Sequence, residues 1–508
     1  MSLSALDYAV IGAYLLGITA FGSWFARFQH TTRDYFLTDR SVPWWAICFT
    51  IVATETSTLT FVGIPATAYA GNMTFLQLAA GYIIGRIIVS LIFIPAYFRG
   101  ELYTSYELLQ RRFGARVKTL SAVIFLITRS LADGIRLFTT ALVIAVVTGL
   151  PVSGVVVVLG AAMIVYTMRG GVSAVIWTDV VQMFIYAAGA LAIAWALLGQ
   201  IQGGWAEVAR LGQAAGRFTI IDLSVDPARI YTLWAGLLGG IALTLSTHGT
   251  DQFLVQRLLS ARSAREASTG LVLSGFIVFA QFILFLLIGV MLYAYYQQTP
   301  LPQPLGRTDE VLPLFVVSAL PSGVAGFIVA AIVAAALSPS LNAMAATTLT
   351  DFYTPYVNPG ADETTRMRVS KQATVVWGIV QLAVALGAQF MARSVLDAGL
   401  SVLSLGSGPV LGAFLLGTLS SEAAERDVFA GMLAGLAVMA VVWWATPIAW
   451  TWYVLIGATT TVAVAWLARA FDFTATAQVA GADGKPLTPR CASEVQRSKV
   501  KGPAPGHS

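Results

Sequence analysis

A cluster of polar side chains interrupts an apolar stretch near the N-terminus. Residues 44–71 are apolar enough to cross a bilayer, yet their middle carries Glu55 among five hydroxyl residues, and Gly63 and Pro65 follow. A helix broken here would expose backbone groups, which membrane proteins tolerate only where these are buried in protein or line a wet cavity. The pattern predicts a broken helix that carries a solute or ion site. The alternative is a packing helix whose hydroxyls bond back to its own carbonyls, but the ionisable Glu55 favours the first interpretation.

Arg136 is a second charged group at membrane depth. It lies well inside an apolar segment, where an arginine costs about 2.5–3.5 kcal/mol on insertion scales. It therefore needs a partner. One possibility is a permanent pair with Glu55 or with Asp133, which lies on the same helix face at a spacing that allows contact. Arg86 and Arg129, also within apolar segments, are interpreted as structural.

His248 lies at the end of another apolar segment, with Thr244 and Thr247 on the same side of that helix. The unperturbed pKa of a histidine is near neutrality, but a lone histidine is more often a packing residue with satisfied hydrogen bonds. The three histidines and two cysteines lack metal-site spacing. The sequence also contains no phosphate-cradling glycine loop and no His-Glu-x-x-His pattern. We therefore expect neither an enzyme nor a bound cofactor, apart from a possible coupling ion.

The composition indicates the class of protein that positions these groups. Of 508 residues, 57% are hydrophobic and 11% are charged, whereas soluble proteins carry about 25% charged residues. The sequence predicts an all-α polytopic membrane protein, because about 20 apolar residues cross a bilayer. The thirteen candidate transmembrane segments lie near 6–27, 45–70, 75–98, 119–148, 152–167, 174–200, 230–248, 269–296, 323–350, 371–391, 396–419, 428–446 and 450–470.

The positive residues alternate between the two sets of loops. Loops after the odd-numbered segments, together with the tail, hold 22 lysines and arginines, against 5 in the other loops. The positive-inside rule places the first set in the cytoplasm, with the N-terminus outside and the C-terminus inside. We expect an integral protein of the bacterial inner (plasma) membrane, surrounded by lipid. Topology accounts for the net charge of +5, so no nucleic-acid partner is predicted.

The segment at 230–248 is interrupted by polar residues, as the segment at 45–70 is. It ends in Ser246-Thr-His-Gly-Thr-Asp-Gln252 and follows the first interrupted segment by five segments. Interrupted helices at matching positions of two five-helix halves indicate an inverted-repeat transporter.

Five runs in the chain together resemble the sodium/solute symporter family, which includes bacterial sialic acid, proline and galactose symporters and animal glucose, iodide and vitamin cotransporters. They occur in order and at the family's spacing, and the resemblance covers residues of about 6–470. The runs are Ala53-Thr-Glu-Thr-Ser57, Tyr106-Glu-Leu-Leu-Gln-Arg-Arg-Phe-Gly114, Met168-Arg-Gly-Gly-Val-Ser-Ala-Val-Ile-Trp-Thr-Asp-Val-Val-Gln182, Ser246-Thr-His-Gly-Thr-Asp-Gln-Phe-Leu-Val-Gln-Arg257 and Leu341-Asn-Ala-Met-Ala-Ala-Thr-Thr-Leu-Thr-Asp-Phe-Tyr353.

The resemblance implies a LeuT-type fold, a five-plus-five inverted repeat, with about thirteen transmembrane helices. It divides the chain into an extra N-terminal helix and loop (1–43), the transporter core (44–419) and two C-terminal helices (420–472). Residues 473–508, rich in Gly, Pro, Lys and Ser, are expected to form a disordered cytoplasmic tail.

The resemblance also implies solute contacts. In relatives the break of the first core helix touches the solute, and the matching positions here are Glu55, Ser57 and Thr60. Arg136 is placed like an arginine that holds the substrate carboxylate in sialic acid transporters. His248 matches an aromatic position beside the solute in sugar symporters, and Thr244 and Thr247 accompany it.

The sodium site of the family is incomplete in this sequence. Sodium wants oxygen ligands, and relatives supply them from carbonyls, here those of Ala53, Thr56 and Ile332, and from two adjacent hydroxyl side chains. The hydroxyl positions correspond to Ala335 and Ala336. We therefore expect a degenerate site that binds sodium weakly or not at all.

A second, inner cation site occurs in some relatives and matches Asp179 and Ser338 here, but Pro339 replaces its other hydroxyl. Asp179 has three other interpretations, namely a proton relay, a helix cap, or a structural salt bridge to a nearby arginine.

The interpretation that joins these observations is secondary active transport by alternating access. The solute would be a small polar organic compound, such as a sugar, a carboxylate or an amino-acid-like molecule. Sodium is the coupling ion that the family implies, while proton-coupled or uncoupled transport are alternatives. A solute-sensing membrane receptor with a transporter core is the rival from another functional class. No oligomer is required.

Overall fold

The computed structural model describes residues 3–25, 31–99, 102–334, 340–390, 395–420 and 422–480. Every named element in these ranges is helical. The α-helices are α1 (Ala5–Trp24), α2 (Thr32–Leu37), α3 (Trp44–Glu55), α4 (Thr58–Ala70), α5 (Phe75–Tyr97), α6 (Tyr106–Arg112), α7 (Ala115–Thr148), α8 (Val152–Gln200), α9 (Gly204–Ala214), α10 (Leu233–Gly249), α11 (Gln252–Leu259), α12 (Ala264–Gln298), α13 (Val311–Ala319), α14 (Val324–Ala334), α15 (Leu341–Thr347), α16 (Glu363–Ala388), α17 (Val395–Leu419), α18 (Glu425–Ala445) and α19 (Tyr453–Ala480).

Each of the thirteen predicted segments overlaps helical chain among the described residues. Within the described ranges, nine helices are long and apolar enough to cross a membrane, and the bent pair α3 and α4 forms a tenth span. The remaining three segments fall on shorter stretches, which are Val152–Val165 in α8, α10 and α14. α8 contains two predicted segments, since Gly171 at φ 60° and ψ −173° marks a kink between them.

The first interrupted segment is broken, but not where Gly63 and Pro65 stand. α3 ends at Glu55, α4 begins at Thr58, and their axes differ by 60°. Gly63 and Pro65 lie inside α4, so the interpretation of these two residues as the breakers is wrong. Gly63 instead allows close packing, because a Cβ there would lie 2.9 Å from the Leu396 Cβ.

The second interrupted segment is not broken within its predicted bounds of 230–248. α10 continues to Gly249, and the helical chain breaks directly after it, because α11 begins only at Gln252. The Asp251 carboxylate caps α11 by accepting a hydrogen bond from the Phe253 amide at 2.9 Å, as N-cap residues do. Within the described ranges, the first segment is therefore a bent pair of helices, whereas the polar run of the second segment lies at the end of a continuous helix and just beyond it.

Small residues bring α5 and α10 into direct backbone contact. A Cβ on Gly240 would lie 2.5 Å from the Leu78 carbonyl oxygen, and one on Gly236 would lie 2.8 Å from the Gln77 Cβ. Only glycine fits such approaches, which are typical of helix packing in membranes. This packing fixes Arg86 on α5 beside His248 on α10.

Candidate functional site

A cavity lies where the broken helix α3–α4 faces α7 and α10. The cavity has a volume of about 150 Å³. Its wall includes all seven predicted solute contacts, which are Glu55, Ser57, Thr60, Arg136, Thr244, Thr247 and His248. Their role in binding stays a prediction, but the fold brings them from three separate helices to one place. The wall also includes Arg129, which the sequence analysis interpreted as structural, and aromatic residues that it did not single out, namely Phe75, Tyr82, Phe253 and Phe282.

Glu55 forms an ion pair with Arg86, not with Arg136. The Arg86 Nη2 group donates to Glu55 Oε2, and His248 Nε2 lies 3.3 Å from Glu55 Oε1. Arg86 is fully buried, so Glu55 compensates a charge that would otherwise be isolated. The sequence does show Arg86 as a second charge in the apolar segment that follows Glu55. A charge in an apolar segment does not by itself identify the residue with which it pairs.

Arg136 is only partly neutralised. Its Nη1 atom lies 3.8 Å from Asp133 Oδ1, while Asp133 also lies 3.7 Å from Arg129 and accepts a hydrogen bond from Ser340. The Arg136 Nε and Nη2 atoms are buried and have no hydrogen-bond partner among the described residues. These two nitrogens form one edge of the guanidinium group, which suits a bidentate carboxylate.

Several hydroxyls near the break bond to backbone carbonyls of their own chain segment. Thr54 donates to the Thr50 carbonyl at 2.7 Å, and Thr60 donates to the Glu55 carbonyl at 2.8 Å. Thr247 likewise donates to the Leu243 carbonyl at 2.9 Å. These three hydroxyls therefore bond back to helix carbonyls, as the packing interpretation of the polar cluster expects. The same side chains also line the cavity beside the helix break.

In the first predicted cation site, one of the three backbone carbonyls already accepts a hydrogen bond. The Ile332 carbonyl accepts a hydrogen bond from the Thr58 hydroxyl at 3.1 Å. The Thr56 hydroxyl donates to the Val52 carbonyl at 2.8 Å, and Ala53 is buried in α3. Ala335 and Ala336 lie outside the described residues. The described residues of this site supply only the backbone carbonyls of Ala53, Thr56 and Ile332, and one of these already accepts a hydrogen bond. They therefore do not make a complete sodium shell.

The second predicted cation site holds a salt bridge. Asp179 Oδ2 accepts hydrogen bonds from the Thr50 hydroxyl at 2.6 Å and from Arg257 Nη2 at 3.1 Å. Arg257 Nε also lies 3.2 Å from the Thr50 hydroxyl oxygen, and all three side chains are buried. Ser338 lies outside the described residues. This geometry matches the structural alternative for Asp179, a salt bridge to a nearby arginine.

Comparison with known proteins identifies the family. Residues 35–435 match the Sodium:solute symporter family. The chain belongs to this family. It is 31% identical over 476 residues to the sodium/sialic acid symporter of Aliivibrio fischeri, a match covering 92% of this chain and 93% of that protein.

Solved structures give the same fold. A Na⁺-coupled sialic acid symporter in a substrate-bound outward-open state matches with a TM-score of 0.83 and 28% identity, over 91% of this chain and 97% of that one. A nucleobase-cation-symport-1 family transporter matches with a TM-score of 0.58 at 14% identity, over 86% of this chain and 94% of that one, a likeness of fold alone. The chain therefore has the LeuT-type fold, and it is an integral membrane transporter, not an enzyme.

Proposed function

We propose that this symporter carries a small carboxylate-bearing organic solute, held in the cavity by Arg136. The observation that carries the proposal is a buried arginine in the cavity wall whose Nε and Nη2 atoms have no hydrogen-bond partner among the described residues. A buried cation with unused donors is costly, and a solute carboxylate would satisfy both donors at once. The similarity to sialic acid symporters supports the same chemistry.

The other charges in the wall favour a carboxylate over an ammonium group. Glu55 is engaged with Arg86 and close to His248, so it offers little attraction to a cationic solute. The wall hydroxyls Ser57 and Thr244 can contact polar substituents on the solute. Aromatic side chains such as Phe75 and Phe282 supply apolar contact, as most small-molecule sites do.

Sodium is the coupling ion that the family and the sialic acid symporter structure support. One cation moving inward gains about 2.3 kcal/mol per 100 mV of membrane potential, so a single ion is a useful driving force. Proton-coupled transport is a second candidate, favoured by the contact of His248 with Glu55 in the cavity wall. In inverted-repeat transporters, alternating access is a movement of one repeat or helix bundle against the other around a fixed central site.

Uptake into proteoliposomes tests the function. A panel of labelled carboxylates, neutral sugars and amino acids is offered with an imposed sodium gradient, an imposed proton gradient, or neither. We expect accumulation of a carboxylate, driven by one of the two gradients. Entry of the solute only to equal concentrations on both sides, whichever gradient is imposed, would indicate uncoupled transport. Saturable binding without any uptake would indicate a receptor and overturn the proposal.

A further inference from the structure

Three groups form a chain of hydroxyl hydrogen bonds between three helices. The Thr140 hydroxyl on α7 donates to the Thr58 hydroxyl oxygen at 2.9 Å, and the Thr58 hydroxyl on α4 donates to the Ile332 carbonyl on α14 at 3.1 Å. Thr58, Thr140 and Ile332 have no solvent exposure. The chain meets α4 at its first residue, directly after the break.

The hydrogen positions follow from the donor count. A hydroxyl has one proton and two lone pairs. Thr58 uses its proton on the Ile332 carbonyl and accepts from Thr140, while the Thr140 proton is shared with the Arg136 carbonyl at 3.0 Å. Every polar atom in this chain therefore has a partner without an ion.

A cation at this point would have to share its oxygens with this chain of hydrogen bonds. Sodium binds oxygen lone pairs, and the Thr58 proton already occupies one of the two lone pairs on the Ile332 carbonyl oxygen. The Thr58 oxygen likewise keeps only one lone pair, because it accepts from Thr140. The positions that match the family's two hydroxyl residues are Ala335 and Ala336 in this sequence, and an alanine side chain has no oxygen.

We propose that the Thr58 hydroxyl takes the place of the ion between the broken helix and α14. The neutral link from α7 through Thr58 to Ile332 ties these helices together, and the first family sodium site contributes no ion to the transport cycle. Any sodium coupling must then use another site. The hydrogen-bonded link between the helices does not depend on the proposed function and can be tested without a solute. The conclusion about which site couples an ion to transport does rest on the proposed function.

The test is thermal unfolding of the purified full-length protein, with sodium chloride titrated against choline chloride at constant ionic strength. The informative variants are Thr58→Val, which removes the hydroxyl at nearly constant shape, and Thr58→Ser, which keeps it. Thr139→Val is the matched control, because Thr139 is equally buried but donates only within α7, to the Ile135 carbonyl.

We expect Thr58→Val to lower the melting temperature in sodium-free buffer by about 1–3 °C, beyond the effect of Thr139→Val. Thr58→Ser should retain the wild-type value. If sodium raises the melting temperature, the sodium concentration that gives half of the maximal rise should be the same in wild type and in Thr58→Val. The proposal is overturned if Thr58→Val melts like the control without sodium, or if it raises that sodium concentration about tenfold, the signature of a lost ligand. A failed uptake experiment would leave this result intact, so the two proposals can fail separately.

Discussion

Replacing Arg136 by glutamine should weaken binding of a carboxylate solute without unfolding the protein. Removing one member of a buried charged pair in a binding site costs about 2–5 kcal/mol. The Asp133 carboxylate already neutralises part of the Arg136 charge from 3.8 Å, so we expect the lower part of that range. A loss of about 2–3 kcal/mol corresponds to a roughly 30- to 150-fold weaker Kd.

The same geometry explains why the variant should fold. Asp133 keeps its contacts with Arg129 at 3.7 Å and with Ser340, so it is not left as an unpaired buried charge. Arg136→Lys is the stricter variant, because it keeps the charge but cannot offer two nitrogens on one edge. Arg229→Gln is the control, since this exposed arginine pairs with Asp222 at 2.7 Å, away from the cavity.

The assay is equilibrium binding of a labelled carboxylate to purified protein, with the neutral amide of the same solute as competitor. We expect Arg136→Gln to lose affinity for the carboxylate but not for the amide, and Arg229→Gln to match wild type. Unchanged carboxylate affinity in Arg136→Gln, or an equal loss for both compounds, would refute the assignment of Arg136.

Three other predictions concern stability and topology. Glu55→Gln should destabilise the protein by about 3–5 kcal/mol, because it leaves Arg86 buried without its counter-charge, and the double variant with Arg86→Met should recover part of that loss in thermal unfolding. Burial raises the pKa of Asp351 to about 7, with Lys118 opposing the shift. Because the folded state then binds this proton more tightly than the unfolded chain, stability should fall as pH rises from about 4 to 7, and Asp351→Asn should flatten that part of a melting-temperature profile. Cys491, in the tail predicted to be cytoplasmic, should react with an impermeant thiol reagent in inside-out but not right-side-out vesicles; the reverse would invert the topology.

The positions of the site residues were readable from the sequence because charges are rare in this chain. Glu55 and Arg136 stand out against apolar segments, and the fold does bring both to one cavity. The two interrupted helices were visible for the same reason, since runs of hydroxyls and glycine are unusual in a membrane span. An apolar segment in a bilayer must satisfy its own backbone hydrogen bonds and therefore forms a helix. For this reason every predicted segment overlaps a helix among the described residues.

The partners were not readable, because pairing depends on three-dimensional placement. Glu55 meets Arg86 from the following helix, and nothing in the spacing of the two residues distinguishes that pair from one with Arg136. The break falls at Thr56 and Ser57, whereas Gly63 and Pro65 continue α4, since tertiary contacts with the neighbouring helices outweigh local helix propensity. Thr58 resembled any other hydroxyl of the cluster until its contact with Ile332 was seen.

The most direct test of carboxylate symport compares a carboxylate solute with its neutral amide in one preparation of proteoliposomes. The vesicles carry an inward sodium gradient and, in a parallel sample, an inward proton gradient. We expect the carboxylate to accumulate above its external concentration under one of these gradients and the amide not to accumulate. Arg136→Gln should abolish this difference. Equal accumulation of both compounds, or an unaltered preference in Arg136→Gln, would contradict the proposal.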